Sequence, residues 1–483
     1  MIHKFTFDDT HLVLDVHSGA LHQVDELVYA MLQEGANFDP PAARRAGLDW
    51  LRRRIADGGW GSASPVADGA PDGLSQAAGG DEQADEETLL TGALEEIQQL
   101  IAQGLLYSPD PLGGHYEPPR TGVVKALCLH LAHDCNLACR YCFAGQGAYG
   151  GPAGLMSAAV GRRAIDFLLS AAGSRRHVEV DFFGGEPLLN KQVMYELVQY
   201  GRQQAQKMGK QIKFTLTTNA LLLDQATAEF LNQQEMSVVL SHDGRPAVHD
   251  RMRPFPAGGG SAELVLEKIH HFLSSRNYQN YYVRGTYTAL NTDFAADVIY
   301  LIEQGFAEVS VEPVVAPPLQ PYALREEHLP ELKQQYEILT RYLLQRYRQG
   351  RPVNFFHFNI DLEGGPCLAK RLTGCAAGVE YLAVAPDGAL YPCHQFAGRE
   401  EYRLGDVWQG VQNQNLVETF RQAHIYHKPH CQECWARHYC SGGCHASAVN
   451  YGGHILSPYP LGCELARKRL ECALYLKAQQ LAN

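Results

Sequence analysis

His133-Asp134-Cys135-Asn136-Leu137-Ala138-Cys139-Arg140-Tyr141-Cys142-Phe143 is the stretch around which this chain is organised. Its three cysteines stand at spacing CxxxCxxC, directly after an apolar run over residues 123–131 that reads as a strand. The thiols therefore belong to a loop leaving a strand end. Three thiolates can hold three irons of a 4Fe–4S cube and leave the fourth iron open. An open iron can bind a substrate or cofactor, which a cube held by four cysteines cannot do.

Working outward, the 483 residues are too many for one small core, so several domains are expected. A hydrophobic content of 45% suits an ordinary globular protein, and no run of eighteen apolar residues is present to span a membrane. The first residues, Met1-Ile2-His3-Lys4-Phe5-Thr6, lack the long apolar core of a secretion signal, which makes the expected location cytoplasmic. A net charge of −12 gives no electrostatic reason to expect nucleic acid. Thirteen cysteines in a reducing compartment point to metal ligation rather than disulfides, with Cys128 and Cys472 read as small buried hydrophobes.

At the N-terminal side, strand-like pieces at 4–8 and 11–16 are followed by the Ser18-Gly19 turn and a helix over 26–33 with Asp25 as its N-cap. Further helices are expected near 41–56 and 86–104, with Gly104-Leu105-Leu106-Tyr107 resembling the start of a strand or wing. Residues 57–87, rich in Gly, Ala, Ser, Pro, Asp and Glu, have little to bury and read as a flexible insertion. This layout is winged-helix-like over 1–110. It is either a cap on an enzyme or a module that adds a peptide strand to an exposed hairpin edge near residues 11–17. A Pro-rich linker covers 108–120.

Residues 121–315 alternate strand and helix. Strands are predicted at 123–131, 177–183, 211–217, 237–241, 282–287 and 308–314, with helices at 157–172, 191–208, 224–234, 262–275 and 293–303. Six β/α units imply an α/β fold with a parallel sheet, a partial (β/α)6 barrel whose chemistry collects at the C-terminal strand ends. A linker helix over 329–348 lies in the segment 316–355, and residues 356–483 form a Cys-rich third domain.

The CxxxCxxC loop with Tyr141, followed by Gly184-Gly185-Glu186-Pro187 at the end of the second strand, resembles the signature of radical S-adenosylmethionine (SAM) enzymes. Alone, Gly-Gly-Glu-Pro is compatible with a plain strand-ending turn. Its glycines suit close backbone approach to a ligand, and Glu186 adds a carboxylate suited to the ammonium of the cofactor's methionine. The resemblance implies that polar groups at the next strand ends, Thr218, Asn219, Ser241 and Asp243, bind the cofactor. It also makes Arg284 a cation for the methionine carboxylate, with a structural ion pair as the alternative.

Downstream, Cys431-x2-Cys434-x5-Cys440-x3-Cys444 precedes Cys463, and Cys375 precedes Gly388-x4-Cys393. CxxC pairs also bind zinc. The seven-cysteine pattern is similar to the SPASM domain, which implies two auxiliary 4Fe–4S clusters and three clusters in all. The outer would be held by Cys431, Cys434, Cys440 and Cys463, and the inner by Cys375, Cys393 and Cys444, with Cys367 as a fourth ligand.

In sulfatase-maturing members an Asp follows the second SPASM cysteine and acts as a base. Here His394 follows Cys393. The stretches 1–5, 14–19, 367–375 and 467–472 look closest to maturases of six-cysteine SCIFF peptides. That resemblance implies a thioether-forming enzyme, joining a Cys sulfur to an α-carbon in a Cys-rich precursor peptide held by its leader. A flavodoxin or ferredoxin is the expected electron donor. A different crosslink, an epimerisation, or a non-catalytic iron–sulfur carrier are the other readings.

Overall fold

The computed structural model describes all residues except 57–81, 120–121, 363–367 and 482–483. Cys367 and most of the 57–87 insertion lie outside the described residues. The chain divides into two compact units. The first is Met1–His115 with Asp361–Gly365 and Lys477–Asn483, and the second is Tyr116–Ile360 with Pro366–Leu476.

In the first unit, β1 (Ile2–Phe7), β2 (Thr10–Asp15) and β3 (Leu21–Val24) form an antiparallel sheet in the order β1-β2-β3. Leu12, Val13 and Leu14 of β2 are fully buried. Asp15 shapes the turn into β3 by accepting hydrogen bonds from the Ser18 N–H (2.9 Å) and hydroxyl (2.8 Å). The sheet packs on α1 (Glu26–Met31), α2 (Pro40–Ala56) and α3 (Glu82–Ala102). Asp25 caps α1 by accepting from the Val28 N–H.

Two expectations change here. Residues 11–15 are the central strand, paired on both sides, so they offer no edge. Gly104–Tyr107 forms turns, and the third strand is the short Leu21–Val24 segment instead.

The second unit is built on a sheet ordered β11-β10-β9-β8-β7-β6-β4-β12-β13-β14-β15. Its strands in chain order are β4 (Ala126–His133), β5 (Gly154–Leu155, paired with β4), β6 (His177–Gly184), β7 (Gln211–Thr218), β8 (Ser237–Ser241), β9 (Tyr281–Tyr287), β10 (Glu308–Pro313) and β11 (Asn354–Phe355). Then come β12 (Tyr381–Val384), β13 (Ala389–Tyr391), β14 (Gly405–Asp406) and β15 (Gly410–Val411). Every pairing from β12 through β4 to β11 is parallel. The connections carry α4 (Ala158–Ala171), α5 (Lys191–Lys207), α6 (Gln225–Gln233), α7 (Pro246–Met252), α8 (Ala262–Ser274), α9 (Phe294–Glu303) and α10 (Leu329–Arg348).

This is the open β/α arrangement expected from the alternating periodicity. All eight residues of β4 are buried, because it lies inside the sheet between β6 and β12. Short side chains cap the helices: Ser157 and Asp224 accept from the third N–H of α4 and α6. Inside, Phe182 of β6 and Phe214 of β7 stack with ring centres 5.6 Å apart.

The Cys-rich segment expected from residue 356 lies mostly in the same compact unit as the β/α core. β12 pairs with β4, so the Cys-rich segment extends the parallel sheet. That segment carries α11 (Leu368–Thr373), α12 (Gln414–Arg421), α13 (Pro429–Gln432), α14 (Arg437–Cys440), α15 (His445–Tyr451) and α16 (Pro460–Leu481). Among the described residues no helix is long and apolar enough to cross a membrane.

Candidate active site

Cys135, Cys139 and Cys142 border one cavity of about 260 Å³ at the C-terminal ends of the parallel strands. Their loop leaves β4 and is tied down by backbone bonds from the Ala138 N–H to the Pro254 carbonyl and from the Arg140 N–H to the Met252 carbonyl, both 2.9 Å. It is also clamped to the end of β6. There the N–H groups of Gly185 and Glu186 donate to the carbonyls of Ala132 and Asp134, each at 2.8 Å.

That clamp explains the two glycines. A Cβ on Gly185 would lie 2.0 Å from the Asp134 oxygen, and one on Gly184 (φ +129°) 2.3 Å from the Ala132 oxygen. The close approach they permit is therefore to the backbone at the end of β4 and the start of the cysteine loop.

Glu186 does not reach the cavity. Its carboxylate is buried and accepts from the Leu188 N–H (3.0 Å), the Thr218 hydroxyl (2.8 Å) and the Asn219 N–H (2.8 Å), joining the ends of β6 and β7. Burial pushes its pKa up to about 7 against the pull of those donors. Pro187 is buried at the start of the following 3₁₀ turn. Thr218, Asn219 and Ser241 border the cavity, and the Asn219 side-chain amide donates to the Asn136 oxygen at 2.7 Å.

Asp243 likewise sits behind the cavity wall. With no solvent exposure, it accepts from the Tyr141 hydroxyl (2.6 Å) and the Thr286 N–H (3.0 Å), and its Oδ1 is 3.0 Å from Arg253 Nε. The Arg253 guanidinium lies 5.4 Å from the centre of the Tyr141 ring, which it helps to fix between Cys139 and Cys142. Arg253 itself borders the cavity, and its surroundings in the sequence, Arg251-Met252-Arg253-Pro254, carry no pattern that singles it out.

Arg284 borders the cavity as half of an ion pair, with Nη2 2.6 Å from Glu312 Oε2. Burial pushes the Glu312 carboxyl up, but Arg284 and His357 outweigh it and leave the group below the ordinary carboxylate range. The ion pair still leaves guanidinium N–H groups for a second anion.

On the facing wall, His394 approaches Phe183 (4.9 Å between ring centres) and Phe143 (5.5 Å). Burial pushes its pKa down to about 4, so the ring is neutral near pH 7. The cavity is thus lined by the first thiol loop and by His394 and Gln395 of the C-terminal segment, the residues that follow Cys393 in the chain.

Those cysteines fall into two sets. Cys431, Cys434, Cys440 and Cys463 border a second cavity of about 750 Å³. Cys375, Cys393 and Cys444 lie near one another, close enough that Cys393 feels the charges of both others. Burial pushes thiol pKa values up, to about 12 at Cys135 and Cys431 and about 11 at Cys139 and Cys463. Buried thiols of this kind become thiolates when a bound metal offsets the charge. Among the described residues no three His, Cys, Asp or Glu side chains gather as tightly as one metal ion requires. Cys128 and Cys472 are buried, apart from these cavity linings.

Two family models match the chain. A 4Fe-4S single cluster domain covers residues 121–267, and SPASM, an iron–sulfur cluster-binding domain, covers 375–435. An uncharacterised protein of Methanocaldococcus jannaschii is 28% identical over 39% of this chain, which spans 62% of that protein. A cysteine-type anaerobic sulfatase-maturating enzyme of Clostridium novyi is 24% identical over 66% of this chain and 87% of its own length. Among solved structures, native anSMEcpe with bound AdoMet and Cp18Cys peptide has a TM-score of 0.61 at 20% identity, covering 74% of this chain and 99% of that one. It shares the fold.

Proposed function

We propose that this chain, a radical SAM/SPASM maturase, installs thioether crosslinks between Cys sulfurs and α-carbons in a Cys-rich ribosomally made peptide. The observation that carries the proposal is the joint wall of the 260 Å³ cavity. The CxxxCxxC loop lies on one side of it, and His394, next to Cys393, lies on the other. A peptide entering there would meet the CxxxCxxC loop and the His394 ring, one residue along the chain from Cys393. The SCIFF-like stretches at 14–19, 367–375 and 467–472 support the thioether subtype.

When bound, a reduced 4Fe–4S cluster and SAM supply a 5′-deoxyadenosyl radical that abstracts hydrogen. The chain's residues hold and orient. Cys135, Cys139 and Cys142 ligate the first cluster. Asn219, Ser241 and Arg284, which line the cavity, would hold the cofactor's polar groups, while Glu186, Asp243 and Arg253 fix the walls that carry them. Phe143 and Phe183 give the cavity an apolar wall beside His394. The seven described SPASM cysteines hold two auxiliary clusters, with Cys367 the candidate fourth ligand of the inner one. A flavodoxin or ferredoxin delivers electrons.

The peptide's leader adds to the first unit at β3 rather than at residues 11–17. On β1 the outward edge is occupied, the Ile2 N–H donating to the Gly35 carbonyl (2.9 Å) and the Lys4 N–H to Glu34 Oε1 (3.2 Å). On β3 the Asp15 N–H bond to the Ala20 carbonyl sets the alternation, which turns the Leu21 and Gln23 backbone groups outward. An open strand edge of this kind accepts a peptide strand.

Reduced, reconstituted enzyme incubated with SAM and the Cys-rich peptide encoded beside it is expected to yield a product lighter by two hydrogens per crosslink. SAM cleavage without that loss would remove the thioether assignment and leave the radical class. The sulfatase-maturating relative favours a second reading, in which a protein subunit is the substrate. Unchanged mass with deuterium taken from solvent would instead indicate epimerisation.

A further inference from the structure

Lys428 is fully buried. Its Nζ donates to the Gly442 carbonyl at 2.7 Å, and among the described residues no carboxylate pairs with it. A buried ammonium without a counter-charge is strongly disfavoured. The groups that act on its charge are thiols from both C-terminal sets: Cys431 and Cys440 of the outer, Cys444 and Cys375 of the inner. Gly442 itself stands between Cys440 and Cys444, one ligand of each set. The backbone is shaped around the lysine: Gly442 has φ +81°, and a Cβ there would come within 3.0 Å of Nζ and 3.2 Å of Cδ.

We propose that the Lys428 ammonium is the shared counter-charge of the two auxiliary thiol sets and raises the reduction potentials of both clusters they hold. This rests on the reading that both sets bind 4Fe–4S clusters. A cluster's thiolates and core carry net negative charge that grows on reduction, so a fixed cation in the dry space between two clusters favours the reduced form of each. Charge and burial around the sulfurs are among the levers that set such potentials. Lys428 is a positioning residue that acts through the clusters.

The test uses the full chain, reconstituted anaerobically, as wild type, K428M, K428R and G442A. Iron and sulfide are measured per chain, and each cluster's potential is titrated by electron paramagnetic resonance. The first cluster, identified by its response to added SAM, is the internal reference. K428M is expected to keep wild-type iron while the one-electron reduction equilibrium of both auxiliary clusters falls at least tenfold, about 59 mV. The first cluster should not move. K428R should restore most of the shift, and G442A, which displaces Nζ, should reproduce part of it. Unmoved potentials at full iron content, movement of one auxiliary cluster alone, or iron loss that K428R does not repair would each overturn the proposal. Iron for fewer than three clusters in the wild-type chain would overturn the cluster reading and this inference together.

Discussion

Asp243 is sealed from solvent, yet two donors and one cation from different parts of the unit converge on it: the Tyr141 hydroxyl, the Thr286 N–H and the Arg253 guanidinium, which pairs with it at 3.0 Å. It ties the cysteine loop to the ends of β8 and β9. Its partner Arg253 has a side chain only 12% exposed, so removing the carboxylate leaves a largely buried cation uncompensated. D243A is therefore expected to lose about 3–5 kcal/mol of stability, and R253M a comparable amount. Their combination should cost clearly less than the sum, because the second change removes the charge that the first one strands. Denaturant titration of all four proteins reads this directly, and strict additivity would sink the coupling. None of it was legible in the sequence. Asp243 was identifiable only as a polar strand end, and Glu186 only as part of a motif. In both cases the carboxylate turns inward because several N–H and O–H donors beside it need an acceptor, which spacing along the chain does not reveal.

At the scale of elements, the β/α core was largely readable, and the reason is periodicity. β8 falls on 237–241 and α10 on 329–348 as predicted, because apolar positions alternate or recur at helical spacing there. α7, seven residues of mixed polarity over Pro246–Met252, carries no such signal and was missed. The N-terminal sheet was misread for a related reason. Leu21–Val24 is four residues long and half-buried, too short to register as a strand, and without it the sequence makes β2 look like an edge. With β3 in place, the open edge presents the Gln23 N–H away from β2. Q23P removes that outward donor while the β2–β3 ladder keeps its bonds, since proline is tolerated at an edge position facing away from the sheet. Binding of a fluorescent leader peptide should weaken roughly tenfold, the loss of about 1.4 kcal/mol expected for one strand-pairing hydrogen bond. The melting temperature should change little. Unaltered binding by a folded Q23P protein would remove β3 as the docking edge.

Across the whole molecule, the grouping of the late cysteines followed from a family pattern, while the continuity of their segment with the parallel sheet did not. β12 and β13 are three or four residues each, and nothing local in Tyr381–Val384 announces a partner as distant in sequence as β4. The second unit also buries many imidazoles, in its β/α core as well as in the Cys-rich segment. His130, His133, His242, His249, His357, His394, His424 and His445 are all held below their ordinary pKa, chiefly by burial, with His133, His242, His394, His424 and His445 near 4. The native chain keeps them neutral, whereas the unfolded chain protonates them below about pH 6.5. Three buried carboxylates act the other way: Asp181 and Glu186 are raised to about 6 and 7, and burial raises Asp297 as well, so the native state holds protons there where the unfolded state has lost them. The imidazoles outnumber them. Between about pH 6.5 and 5 the unfolded chain therefore binds more protons than the folded one, and stability must fall as pH falls. A net uptake of even one proton corresponds to about 1.4 kcal/mol per pH unit, so denaturant midpoints should drop steeply across this window. H242N, which removes one of the fully buried rings, should make the slope shallower by up to one proton. Stability that stays flat, or rises, on acidification through this window would mean that the imidazoles are not held neutral in the folded chain.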